Sequence, residues 1–140
     1  VNFPRPRVKN SPYSFSFSGL KTALLYYSQK TNQDEFQNNI SDIAASYQEA
    51  ILDCLFNALE KLAIDYPDVK DIYISGGVAA NNRLRVKSKQ FELDYRKNII
   101  LPKLEYCTDN AAMIAMAAYQ KIINGQKSSY DLAPIPNLKL

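Results

Sequence analysis

With 140 residues, 46% of them apolar and 22% charged, the chain can bury a core, which excludes a disordered tail. A net charge of +3 is too modest to argue for a nucleic-acid partner by field alone. The chain holds no histidine, so no mechanism that needs an imidazole base or metal ligand is complete within these residues.

Cys54 and Cys107 lie far apart without CxxC spacing. They read as reduced thiols, which fits a cytoplasmic protein with no disulfide framework. The apolar run around Ala111 to Tyr119 is too short to span a membrane. Basic residues gather at Arg5, Arg7 and Lys9, and again at Arg83, Arg85, Lys87 and Lys89. A polar strap and a solvated helix face account for them.

Residues 1–13 hold three prolines and read as an extended strap. "FSFSG", Phe15 to Gly19, alternates like a short strand or turn and leads into a helix over Leu20 to Lys30. A polar linker, Thr31 to Asn39, follows. Ser41 to Asp65 reads as a long helix with Ser41 as N-cap and Pro67 beyond its end. Its buried face is Ile43, Tyr47, Ile51, Cys54, Leu55, Ala58 and Leu62, recurring at helical spacing. "VKDIYIS", Val69 to Ser75, is β-branched and aromatic and predicts a buried strand. Gly76 and Gly77 break it, and a helix from Ala79 to Glu92 begins at once. "NIILP" predicts another short strand. Asp109 to Asn124 reads as an alanine-rich helix closed by Gly125. Its small residues, Ala111, Ala112, Ala115, Ala117 and Ala118, predict close packing against another element. Residues 126–140 read as a second extended strap. The alternation of helices and strands predicts an α/β fold with helices on a short parallel sheet, and the strands are few enough that the sheet looks incomplete.

Three stretches can carry chemistry. In "DIYISGGVAANNRLR" the double glycine permits a sharp turn and close approach of a ligand, and a helix N-terminus behind it favours phosphate. Asn81 and Asn82 add amides that donate and accept; the competing reading is a helix cap or a surface residue. "EYCTDNAAMIAMAAY" sets Thr108, Asp109 and Asn110 at a helix start, where all three are good caps and Asp109 is also a candidate metal ligand. "FSFSGLKT" places Ser18, Gly19 and Lys21 together; Lys21 alone reads as a solvated charge.

In combination these stretches are far more specific. "FPRP" at Phe3 to Pro6, "FSFSGLKTA" at Phe15 to Ala23, "SGGVAANNRLR" at Ser75 to Arg85 and "YCTDNAAMIA" at Tyr106 to Ala115 occur in the order and spacing of the TsaD family, also called Gcp or YgjD. The resemblance runs from Phe3 to about Ala118 and covers the C-terminal part of that family, less than half its usual length. It implies part of a two-lobed actin, heat-shock ATPase and sugar-kinase (ASKHA) type fold around a nucleotide cleft. It implies transfer of a threonylcarbamoyl group from threonylcarbamoyl-AMP to N6 of the adenosine beside the anticodon in tRNAs reading ANN codons.

By the same resemblance, Gly76 and Gly77 lie beside the phosphates of ATP or the adenylate, and Asn81 contacts that nucleotide. Asp109 matches the aspartate that holds a divalent metal, iron or zinc, with two histidines of an HxxxH motif that this chain lacks. "FSFSGLKT" matches one wall of the cleft. Ser14 departs from the family pattern, where many members carry Asp before the first Phe of that motif. The implied partners are tRNA and TsaB-like and TsaE-like companion proteins, with a homo- or heterodimer in prospect, and the 140 residues alone are expected to be inert. Two alternatives stay open: a non-catalytic TsaB-like interaction subunit, against which "GGVAAN" and "TDN" both argue, and a lobe of another ATPase or kinase of the ASKHA superfamily.

Overall fold

The computed structural model describes residues 1–130 and Ala133. Five helices, two short strands and two 3-10 turns follow one another along these residues. The helices are α1 (Ser18–Lys30), α2 (Gln33–Asn38), α3 (Ile40–Asp65), α4 (Asn82–Tyr95) and α5 (Ala111–Ile123). The strands are β1 (Asp71–Tyr73) and β2 (Asn98–Ile100), and the 3-10 turns are Gly77–Ala80 and Leu104–Tyr106.

The central member is α3. Its 26 residues make a rod about 39 Å long at about 1.5 Å per residue. It is covered on two sides, and this changes which of its residues are buried. On one side Leu52, Phe56 and Ala63 meet Leu84 and Phe91 of α4 and Ile99 of β2. On the other, Ile43, Ala50 and Cys54 meet Leu20 of α1 and Phe3 of the strap. The single stripe expected from the sequence is therefore widened. Ile43, Cys54 and Ala58 are buried as expected, Tyr47, Ile51, Leu55 and Leu62 are half-buried, and Leu52 and Phe56 join the core from the second face.

The N-terminal strap is fastened by aromatic packing. Phe3 is buried and meets Tyr27 and Tyr47 edge-on at centroid distances of 5.9 and 5.3 Å. The expected strand at Phe15 to Gly19 is reduced to one antiparallel bridge, Arg7 with Phe15. Helix α1 starts at Ser18, so Gly19 lies in its first turn, where a Cβ would touch the Pro6 ring at 3.6 Å.

The polar linker expected at Thr31 to Asn39 is instead mostly helical. Asn32 caps α2 by accepting from the Asp34 N–H at 2.8 Å, with Asp34 and Glu35 in the favourable first turn. Asn39 ends α2 and starts α3, which moves the boundary upstream and leaves Ser41 inside the first turn of α3 rather than at its cap.

Strands β1 and β2 pair in parallel with Ile72 opposite Ile99, and the Ile74 N–H extends the ladder to the Ile100 carbonyl at 3.1 Å. The expected strand Val69 to Ser75 shrinks to Asp71–Tyr73, and it is not buried. Ile72 turns toward the core, whereas Asp71 and Tyr73 are exposed, Tyr73 at 74%. One partner strand and one covered face cannot bury both sides of a strand. Beneath the α3–β1 connection, Lys97 is 6% exposed and donates to the carbonyls of Tyr66, Pro67 and Val69.

Helix α5 departs most from expectation. Every residue from Ala111 to Ile123 is exposed, including Ile114 and Met116, so among the described residues nothing packs closely on its alanines. Gly125 follows at φ +74, as expected of a residue past a helix end. Of the second strap, residues 126–130 contain no helix or strand. Residues 131, 132 and 134–140 lie outside the described part. No helix among the described residues is long and apolar enough to cross a membrane.

Candidate functional site

The double glycine follows β1 directly. Gly76 has φ +92, a conformation that a side chain resists, so glycine is required there by the backbone. Gly77 is different. Its φ is not in the positive region, and a Cβ added to it would meet nothing within 4 Å. No strain or contact among the described residues accounts for a glycine at that position.

The helix expected immediately behind the glycines is first a single 3-10 turn, with Ala79 N–H bonded to Gly76 O at 3.0 Å and Asn81 N–H to Val78 O at 2.9 Å. Helix α4 starts only at Asn82, and Asn81 is its N-cap. The strong dipole that the sequence placed behind Gly76 and Gly77 therefore begins several residues later. Asn81 is half-buried; its Oδ1 accepts from the Leu84 N–H at 3.0 Å, and its Nδ2 donates to Gln48 Oε1 at 2.8 Å. Asn82 is exposed. The same α3–α4 seam borders an apolar groove of about 450 Å³, lined by Leu24, Phe36, Ile43, Ile51 and Val78 with Gln48 and Asn81 at its polar edge.

Charge fixes α4 against α3. Glu49 takes two hydrogen bonds from Arg83, at 2.8 and 3.0 Å, and one from Lys87 at 2.6 Å. Lys87 also pairs with Asp53, which Arg5 of the strap meets at 2.9 Å. The Arg83 hydrogen bonds, helped by Lys87, hold the Glu49 carboxyl down at about 2 against the opposing effect of burial. Burial works against the charge on Lys87, but its bonds to Asp53 and Glu49 outweigh that and raise it above its ordinary value. Arg5, Arg83 and Lys87 are thus paired with carboxylates of α3, although the Arg83 side chain stays 45% exposed as the sequence suggested.

In the other stretch the capping duty falls on Asn110. Its Oδ1 accepts from the Met113 N–H at 2.9 Å, and its Nδ2 donates to the Thr108 carbonyl at 2.8 Å. Asp109 is exposed and has no hydrogen bond or ion pair among the described residues. Its structural explanation, that it caps α5, is thereby removed. Cys107 is buried, with its thiol against the carbonyls of Pro102 and Lys103 at 3.9 and 3.5 Å. Arg85 reaches the same segment, donating to Pro102 O at 2.7 Å.

No group of three or more His, Cys, Asp or Glu that could hold a metal exists among the described residues. Asp109 supplies one carboxylate, and the nearby Cys107 thiol is turned into its own loop. These residues do not by themselves fit a divalent metal. Ser18 and Lys21 are exposed on α1, and Ser14 closes a turn of the strap through a 2.7 Å contact with Ser11.

Gln48 and Arg85 escaped the sequence reading. Gln48 meets Asn81 across 33 positions, and no local pattern signals such a pairing. Arg85 lay inside a quoted motif, but its basic character hid an internal role.

The model of the TsaD family, tRNA N6-adenosine threonylcarbamoyltransferase, matches residues 1–116. A protein of that name from Thermosipho africanus is 46% identical over 139 residues, which is 99% of this chain and 41% of the relative. One from Fervidobacterium nodosum is 43% identical, with 97% and 40% covered, and one from Cytophaga hutchinsonii is 40% identical, with 99% and 41% covered. The chain spans about two fifths of the length of these curated relatives.

Proposed function

The chain belongs to the TsaD family, and from that premise we propose that the protein containing it transfers a threonylcarbamoyl group from threonylcarbamoyl-AMP to N6 of the adenosine next to the anticodon in tRNAs reading ANN codons. In that transfer the N6 amine attacks the carbamoyl carbonyl carbon, a C–N bond forms, AMP leaves and a proton is lost from N6. These residues form a C-terminal portion of an ASKHA-type fold, with residues 1–13 as a strap.

The observation that carries this reading is the glycine pair with Asn81. Gly76 is explained by its own backbone, whereas Gly77 is glycine without internal cause, as suits close passage of a nucleotide phosphate. Asn81 stands at the end of that turn, with an amide that can donate to an oxygen of ATP or of the adenylate. Asp109, free of capping duty, is proposed as this chain's one contribution to a divalent-metal site for iron or zinc; the histidines implied by the resemblance are not among these residues. TsaB-like and TsaE-like companions, a homo- or heterodimer and a cytoplasmic location belong to the same reading.

The test is direct. The complete protein, incubated with its TsaB-like and TsaE-like companions, unmodified tRNA and threonylcarbamoyl-AMP, should give a mass increase on one adenosine in nucleoside analysis. An unmodified digest from well-folded protein would reject the proposal.

A further inference from the structure

The amide of Asn81 is held from two sides by groups of opposite demand. Leu84 N–H can only donate, so Oδ1 must face α4 and Nδ2 must face α3. There Gln48 Oε1 accepts one of the two Nδ2 hydrogens at 2.8 Å. The pair joins α3 to the end of the glycine turn, and both side chains edge the groove beside Val78. With Oδ1 engaged and one hydrogen committed, a second Nδ2 hydrogen remains, and it has no partner among the described residues.

We infer that Gln48 is a positioning residue: it holds the Asn81 amide so that this remaining N–H is presented at the groove edge. The inference rests on the proposed nucleotide contact of Asn81 and deepens it. A fixed donor selects an acceptor, so the nucleotide atom recognised here is a hydroxyl or phosphate oxygen or an adenine ring nitrogen and not the exocyclic amino group. Without Gln48, one cap bond to Leu84 remains, and a single bond leaves the amide free to swing about its side-chain torsions.

Calorimetric titration of a non-hydrolysable ATP analogue into the complete protein tests this. Asn81→Ser keeps a capping hydroxyl but removes the N–H, and should weaken binding about tenfold, the scale of one lost hydrogen bond. Gln48→Met, similar in shape without the carbonyl, should weaken it about five- to tenfold. The double variant Gln48→Met with Asn81→Ser should bind no more weakly than Asn81→Ser alone, a coupling that a merely structural role would not produce. If Asn81→Ser is impaired while Gln48→Met binds like the parent, or if the two losses multiply, the role of Gln48 is overturned and the nucleotide contact stands. If Asn81→Ser binds like the parent, the nucleotide contact itself fails and the inference with it.

Discussion

Arg85 donates to the Cys107 thiol at 3.5 Å and, with the same nitrogen, to the carbonyl of Pro102, tying the helix capped by Asn81 to the loop that runs into Asp109. The guanidinium Nε is buried and has no partner among the described residues, so this grip is maintained at a desolvation cost. Arg85→Met should therefore loosen residues 103–110 selectively. Hydrogen exchange of the Asp109 and Asn110 amides should accelerate while the centre of α3 keeps its protection. Uniform acceleration throughout would show instead a general loss of stability.

Asp109 and Asn110 should separate function from stability. Asn110→Ala removes the cap of α5 and should cost about 1 kcal/mol in a denaturant melt. Asp109→Ala should leave the melt within about 0.5 kcal/mol, because an exposed side chain with no partner among the described residues contributes little. In the complete protein it should nevertheless abolish transfer to tRNA and lower bound metal. A large stability loss with normal metal content would return Asp109 to a structural role.

The two glycines should behave differently. Gly76→Ala forces a side chain into φ +92 and should destabilise the fold by about 1 to 2 kcal/mol. Gly77→Val meets open space and should leave the melting curve close to the parent while blocking titration by an ATP analogue. Equal affinity in Gly77→Val would show that nothing approaches the chain at this turn.

Lys97 should be among the least replaceable surface-type residues. Three carbonyls converge on its ammonium, and Lys97→Met would remove that shared donor while Tyr66 O keeps only the Val69 N–H, at a cost of about 1 to 3 kcal/mol. Chemical denaturation measures it. A loss under about 1 kcal/mol would show that water replaces the ammonium.

Glu49 sets a pH dependence. Its folded value of about 2 lies below its ordinary 4.5, so the stability it contributes is fully present above pH 4.5 and is lost as pH falls toward 2. Glu49→Gln should flatten the stability profile across that window and change its slope little above it. An unchanged acid limb in urea melts from pH 5 to 2 would remove Glu49 from the account.

The elements themselves were largely legible, because they rest on short-range rules. The 3.6-residue spacing of Ile43, Tyr47, Ile51 and Cys54 announces α3, the β-branched run around Ile72 announces β1, and Gly76 and Gly77 announce the turn between strand and helix. The four quoted motifs announced the family, since residue identity at fixed spacing is carried by the sequence alone. Burial and partnership are different in kind. Whether Leu52 is core, whether Tyr73 is covered, and whether Arg83 meets water or Glu49 depend on what the fold brings from thirty or more positions away. The same is true of the second partner of Asn81. Local rules make either Asp109 or Asn110 a good cap, and either Asn81 or Asn82 a good ligand. The structure seats Asn110, not Asp109, on the Met113 N–H, a choice made inside one turn; only the tertiary structure brings Gln48 to Asn81, because a hydrogen bond needs two groups within about 3 Å and sequence spacing sets that distance only inside a turn.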